Sequence, residues 1–107
     1  MTDPANRRAS ERFPVNQDTI CDFLSPVVEN FGPARIKNLS NEGIGVIATK
    51  KVDVGSLLAV NLVNRAKTFS KTVLVRVAHA TPAGGGFLIG GTFQSPLTYE
   101  ELRTMVM

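Results

Sequence analysis

The sequence predicts a mostly β protein, either a sandwich or a closed barrel of short strands, that ends in a short helix. Apolar residues recur at every second position, which is the period of side chains on one face of a strand. Turn-forming residues separate the alternating segments at short intervals. At 107 residues the chain has the length of one domain with a single core.

The alternation of apolar and other residues predicts where the individual strands lie. It is clearest in residues 73–78, where every second residue is valine, and it recurs in residues 57–63 and 86–93. Residues 53–56 and 82–86 are the clearest turns, because both contain glycine beside other turn-forming residues. The predicted strands are residues 14–23, 33–38, 43–49, 57–63, 70–80 and 86–93.

The C-terminal residues have a helical pattern. Thr98 followed by Glu101 fits a capping box, in which the two side chains satisfy the first free N–H groups of a helix. A helix from about residue 96 is therefore predicted to lie against the strands through a partial apolar stripe. Its buried residues would be Leu97, Leu102 and Met105 or Val106.

Composition excludes several classes of protein. With 43% hydrophobic and 20% charged residues, the chain has neither a disordered nor a membrane-spanning composition. No apolar stretch approaches the ~20 residues that cross a bilayer, and the polar N-terminus leads into no signal sequence. We expect a soluble cytoplasmic protein without membrane insertion.

The sequence contains no convincing catalytic or metal-binding pattern. Its only histidine, His79, falls on the same strand face as the valines before it, so a partly buried, hydrogen-bonded ring is predicted. Glu100 and Glu101 are adjacent and would diverge on a helix, and the lone Cys21 is predicted to be a small strand residue. We expect no enzyme activity, no metal and no cofactor.

An arginine cluster near the N-terminus is the first candidate for binding. Arg8 and Arg12 are four residues apart, so they share a side of either a helical turn or an extended segment, and Arg7 precedes them. A guanidinium fork fits phosphate oxygens or the O6/N7 edge of guanine. Basic N-terminal segments are also common as solvated tails.

A second cluster follows the second predicted strand. Asn38 and Ser40 are two residues apart, so at a strand end their side chains share one face, and Gly43 would complete the following turn. Asn, Ser and Gly are also ordinary turn residues. Together with the arginines, they predict a pocket for an anionic small ligand rich in hydrogen-bonding groups.

The pairing of RxxxR with (D/N)xSxxG resembles the PilZ domain, a bacterial receptor module for cyclic di-GMP. The resemblance extends over about residues 7–107, through the segments 39–46, 73–77 and 89–93. It implies an all-β fold, a six-stranded antiparallel β-barrel with a short C-terminal helix. It also implies a flexible segment, residues 1–12, that carries the arginines, and a single barrel domain formed by residues 13–107.

The same resemblance implies roles for the motif residues. Arg8 and Arg12 would bind the phosphates and the guanine Hoogsteen edges, and Asn38, Ser40 and Gly43 would line the guanine pocket. Arg7 matches family members with a double arginine, which often hold an intercalated pair of ligand molecules. Asn38 stands where many members have Asp, and it offers one acceptor oxygen and two donors.

The expected function is that of a cyclic di-GMP receptor or adaptor that changes conformation and relays the signal to an unidentified protein effector. A homodimer is left open, as is the process under control, whether motility, exopolysaccharide synthesis, adhesion or virulence. One alternative is a ligand-independent protein-interaction adaptor on the same fold. A barrel that binds single-stranded nucleic acid is less favoured, because the net charge of +3 equals the three motif arginines and no dense basic run exists.

Overall fold

Six strands and one helix make up the residues that the computed structural model describes, 11–25 and 34–107. Each neighbouring pair of strands is antiparallel, and the order across the sheet is β1-β4-β5-β6-β3-β2. The sheet curls into a nearly closed barrel, which confirms the predicted barrel. The elements are β1 (Thr19–Ser25), β2 (Ala34–Leu39), β3 (Gly43–Ala48), β4 (Leu57–Asn64), β5 (Phe69–Ala83), β6 (Gly86–Phe93) and α1 (Tyr99–Val106).

The barrel closes where the two edge strands, β1 and β2, meet. Phe13, which precedes β1, forms an isolated antiparallel bridge with Leu39 of β2. Phe13 N donates to Leu39 O at 2.9 Å, and Leu39 N donates to Phe13 O at 2.8 Å. The free edge of β2 is therefore paired at this point, as an exposed strand edge requires. Most of the predicted arginine-bearing segment, residues 1–12, lies outside the described residues.

Alternate residues of the strands fill the barrel, as the period of two predicts. On β5, Val73, Val75 and Val77 are buried while Leu74 and Arg76 are exposed. The corresponding inward residues of β4 and β6 are Leu58, Val60, Leu62, Ile89 and Phe93. Cys21 is buried in β1, which confirms the prediction that it is a small strand residue.

Two local predictions are wrong. The first strand begins at Thr19 and not at residue 14, because Pro14 has no backbone N–H and Asn16 starts a turn. Asn16 O accepts from Thr19 N at 3.1 Å, and Asn16 Oδ1 accepts from Asp18 N at 3.2 Å. His79 is exposed and not partly buried, because a register shift between Val77 and His79 reverses the alternation of β5.

The C-terminal helix has the predicted capping box. Thr98 Oγ1 accepts from Glu101 N at 3.1 Å, and Glu101 Oε1 accepts from Thr98 N at 2.9 Å. Leu102 and Met105 of α1 are buried, as is Leu97 before it. No helix in residues 11–25 and 34–107 has the length and apolar character needed to cross a membrane.

A buried polar cluster binds the far end of α1 to the barrel. Asn64 is 0% exposed; its amide nitrogen donates to Thr19 Oγ1 at 2.8 Å and to Asn16 Oδ1 at 3.0 Å. The same nitrogen reaches Thr104 O of the helix at 3.2 Å, and Asn64 Oδ1 accepts from Lys67 N at 3.0 Å. The Asn64 side chain thus joins β1, β4 and the Thr104 carbonyl near the end of the helix.

We predict that Asn64→Ala destabilises the protein by about 2–3 kcal/mol, because it leaves buried donors and acceptors without partners. Urea unfolding followed by circular dichroism measures the change. Asn61→Ala is the matched control, since Asn61 lies on the same strand and its side chain accepts exposed hydrogen bonds from Ser70 and Thr72. Equal losses in the two variants would contradict a structural role for the buried cluster.

We predict a pH-dependent contribution from Glu101. Its hydrogen bond with Lys71, whose Nζ lies 2.8 Å from Oε2, lowers the pKa of Glu101 below its ordinary value of 4.5. The ionised carboxylate therefore stabilises the fold above pH 4.5, and this contribution is lost as the pH falls through the lowered pKa.

Glu101→Gln keeps an oxygen for the Thr98 N–H but removes the ion pair. We expect the native chain to have the higher Tm at about pH 7 and the difference between the two chains to shrink as the pH falls through the lowered pKa of Glu101. Thermal unfolding over a series of pH values from neutral to acid measures this. A Tm difference that is independent of pH would show that the ion pair contributes nothing.

Candidate ligand-binding site

The turn between β2 and β3 is organised by the side chain of Ser40. Ser40 Oγ accepts hydrogen bonds from Glu42 N at 3.2 Å and from Gly43 N at 3.1 Å. Ser40 N also donates to Gly43 O at 3.0 Å, and the residue is 2% exposed. The serine hydroxyl therefore holds the turn together from inside, as short polar side chains often do.

The same turn is attached to the segment that joins β6 to α1. Asn41 O accepts from Leu97 N at 2.8 Å, and Asn41 Nδ2 donates to Leu97 O at 3.2 Å. Glu42 O accepts from Phe93 N at 2.8 Å. These bonds fix the position of the turn relative to the rest of the barrel.

Arg12 and Asn38 meet on the barrel beside this turn. Arg12 Nη1 donates to Asn38 Oδ1 at 3.0 Å, across 26 positions of sequence. The antiparallel bridge between Phe13 and Leu39 places Arg12 beside Ser40, so Arg12 and Asn38 lie diagonally on either side of the bridge, and the long arginine side chain spans the distance between them. Both side chains are half-buried, so the pair is accessible from solvent.

Glycines provide the space that this pair occupies. A Cβ at Gly43 would lie 3.3 Å from Arg12 Nη2 and would collide with the carbonyl oxygen of Gly91. A Cβ at Gly45 would lie 2.8 Å from Asn38 Oδ1. The two side chains can therefore lie low over β3 only because these positions carry no side chain.

The structure thus brings together Arg12, Asn38 and Gly43, and it places Ser40 in the adjoining turn. Arg7 and Arg8 lie outside the described residues. Reasoning from the sequence missed Gly45, although a glycine inside a strand is a known signal of close approach by another group. The arrangement combines a permanent positive charge with an amide, which suits an anionic ligand that also presents a hydrogen-bonding edge.

Among residues 11–25 and 34–107, the other potentially reactive side chains include carboxylates, His79 and Cys21. No three of their His, Cys, Asp and Glu side chains are placed to hold a metal ion. Burial, reinforced by the nearby Asp22 carboxylate, raises the pKa of the Cys21 thiol to about 12. That thiol is therefore protonated at neutral pH and is a poor nucleophile.

Two surface clefts lie away from the Arg12–Asn38 pair. One, of about 360 Å³, is an open, polar cleft beside α1. The other, of about 270 Å³, lies between the ends of β2 and β3 and the turn from β5 to β6. Their lining residues are Lys67, Glu100, Arg103, Thr104 and Met107 for the first, and Ala34, Arg35, Ile47, Ala48, Thr49, Gly84, Gly85 and Gly86 for the second.

Comparisons of the chain with protein-family models, with curated proteins and with solved structures find no match.

We predict that Ser40→Ala destabilises the fold by about 1–2 kcal/mol, because two turn N–H groups lose a buried acceptor. Ser56→Ala is the matched control: Ser56 also lies in a turn, where its hydroxyl donates to Asp53 O at 2.6 Å in an exposed position. That variant should change stability by less than about 0.5 kcal/mol. Urea unfolding distinguishes the two, and a Ser40 variant as stable as the native chain would overturn the assigned turn function.

Proposed function

We propose that the protein is a cytoplasmic receptor for cyclic di-GMP that relays the state of this ligand to a partner protein. The hydrogen bond between Arg12 and Asn38 is the observation that carries the proposal. It joins one residue from each of the two motifs, which are otherwise remote in sequence. The six-stranded barrel that supports the pair agrees with the fold implied by the resemblance to PilZ domains.

The chemistry of cyclic di-GMP suits these residues. The ligand has two phosphates, which attract guanidinium groups, and two guanines, whose O6 and N7 atoms accept from an arginine fork. Asn38 offers an amide beside Arg12, so a guanine edge and a phosphate can be bound within one small area. In this proposal Arg8 and Arg7 join the site from the segment before residue 11.

The proposal assigns Ser40 an indirect role. Its hydroxyl accepts from two backbone N–H groups of the turn and is almost completely buried. It would therefore shape the guanine pocket by fixing Asn38 and Gly43, and direct contact with the base is left to Asn38 and Arg12.

A ligand-independent adaptor is the second candidate function, and one surface feature favours it. Val54, Leu57 and Leu74 are 64%, 42% and 45% exposed around β4 and β5. Arg76 faces Leu57 across the two strands, and Ala59 faces Leu74. Leu57 and Leu74 point outward from these strands, and exposed apolar side chains of this kind are typical of a protein-binding surface that needs no ligand.

The described aromatic residues do not favour a nucleic-acid-binding barrel. Phe13, Phe69 and Phe87 pack against the core, and Phe93 is buried. Tyr99 is 67% exposed, but the Arg103 guanidinium lies 5.6 Å from its ring centre. Single-strand binding uses a series of exposed aromatic faces along a basic groove.

We predict that Arg12→Ala, and likewise Arg8→Ala, weakens binding of cyclic di-GMP at least about tenfold, because a lost charge-assisted contact costs ~1.5–3 kcal/mol. Isothermal titration calorimetry of the native chain, each variant and the double variant measures this. GTP is the control ligand. Arg65→Ala is the control variant, since Arg65 is exposed after β4, and neither β4 nor β5 pairs with β2 or β3.

Selective binding that the double variant loses would support the receptor, and two ligand molecules per chain would support a role for Arg7. If the native chain binds neither cyclic di-GMP nor GTP, the receptor proposal fails and the adaptor replaces it. Equal, salt-sensitive binding to generic oligonucleotides would instead favour the nucleic-acid barrel.

A further inference from the structure

Four residues form a row across four neighbouring strands beside the candidate site. Asn38 of β2 pairs with Gly45 of β3, Gly45 pairs with Gly90 of β6, and Gly90 pairs with His79 of β5. Directly paired residues of antiparallel strands point to the same face of a sheet. Asn38 and His79 therefore stand on the same face of the barrel, with two glycines between them.

Both end residues lean toward the middle of this row. Asn38 Oδ1 lies 2.8 Å from where a Cβ of Gly45 would be. A Cβ on Gly90 would collide with His79 Nε2, and it would lie 2.6 Å from Cε1 and 3.0 Å from Cδ2 of the same ring. The two nearest atoms, Nε2 and Cε1, form the end of the imidazole furthest from the backbone, so the ring extends over β6 toward β3.

The two side chains consequently approach each other. Neighbouring strands are about 4.8 Å apart, so an amide above Gly45 and a ring above Gly90 are separated by roughly one strand spacing, ~5 Å. Arg12 binds the Asn38 amide at 3.0 Å. A planar base bound by Arg12 and Asn38 would therefore lie next to the imidazole.

The outward position of His79 depends on the β-bulge. Without the register shift between Val77 and His79, the residue would follow the buried valines into the core. With the shift it is exposed, and Gly90 and Gly45 beneath the row are buried. Bulges of this kind often re-aim a side chain beside a functional site.

We propose that His79 is a further ligand-binding residue, whose imidazole stacks on a guanine base of cyclic di-GMP held by Arg12 and Asn38. This inference rests on the proposed function. Gly45 and Gly90 serve it by keeping the sheet between Asn38 and His79 free of side chains. A flat ring at this place adds contact area to a base regardless of which hydrogen bonds the base makes.

The first test is the affinity for cyclic di-GMP of His79→Ala and His79→Phe, measured by calorimetry beside Arg12→Ala. We expect His79→Ala to weaken binding at least about fivefold, which is the lower end of the range for loss of a base–aromatic stack. His79→Phe keeps a flat ring and should retain most of the affinity. Thr72→Ala is the control, since it is exposed on the same strand and pairs with Asn61, away from the row.

Gly90→Ala tests the position of the ring without removing it. The nearest atoms to the added methyl group all belong to His79, so the substitution pushes the imidazole aside. We expect Gly90→Ala to weaken binding in the native chain and to have no further effect in the His79→Ala chain. Thermal unfolding of each variant, with and without ligand, shows that the fold is retained.

The imidazole can also be observed directly by proton NMR. The chain has a single histidine, so no second histidine ring contributes overlapping resonances. Stacking should shift the ring-proton resonances of His79 upfield as cyclic di-GMP is added, and GTP should not. Native affinity in His79→Ala, with binding lost in Arg12→Ala, would overturn the stacking role and leave the receptor intact. No binding by the native chain would overturn both.

Discussion

The pairing of Phe13 with Leu39 is the interaction on which the candidate site depends. A barrel built from one sheet must bring its two edge strands together, and here residue 13 takes up the free edge of β2. Because the pairing is antiparallel, Arg12 lies beside Ser40, one residue beyond Leu39, and its long side chain reaches diagonally back to the Asn38 amide. The contact that brings residue 13 to β2 therefore also positions Arg12 near Asn38, which explains how two motifs so distant in sequence share one place.

The second constraint is space above the sheet. Side chains as long as arginine and histidine lie flat on a strand only where that strand has no side chain of its own. Gly43 and Gly45 provide this for Arg12 and Asn38, and Gly90 provides it for His79. Glycine within a strand costs conformational entropy. The barrel tolerates this cost because the core contacts of neighbouring residues such as Ile44, Val46 and Ile89 hold the strands in register.

Sequence patterns predicted the elements well wherever local chemistry decides the structure. The valines at positions 73, 75 and 77 and the Thr98–Glu101 capping box depend on neighbours a few residues away, and both are observed. The bulge before His79 was missed because the alternation of residues 73–77 gives no sign of where it breaks. The roles of Gly45 and Gly90 were missed for another reason: each is explained by a side chain on the next strand, which only the pairing register identifies.

The described attachments limit how binding can change the shape of the protein. A ligand alters a conformational balance only if it favours one arrangement over another. Within residues 12–16, Arg12 binds Asn38, Phe13 pairs with Leu39, and Asn16 N donates to Met105 O of α1 at 2.9 Å. A ligand that only turned the guanidinium would leave the other two attachments unchanged and would not affect the helix. An output carried by the arginine segment therefore either arises in the residues before Arg12 or displaces the backbone of residues 12–16, which would strain the Asn16–Met105 bond and the Phe13–Leu39 pairing together.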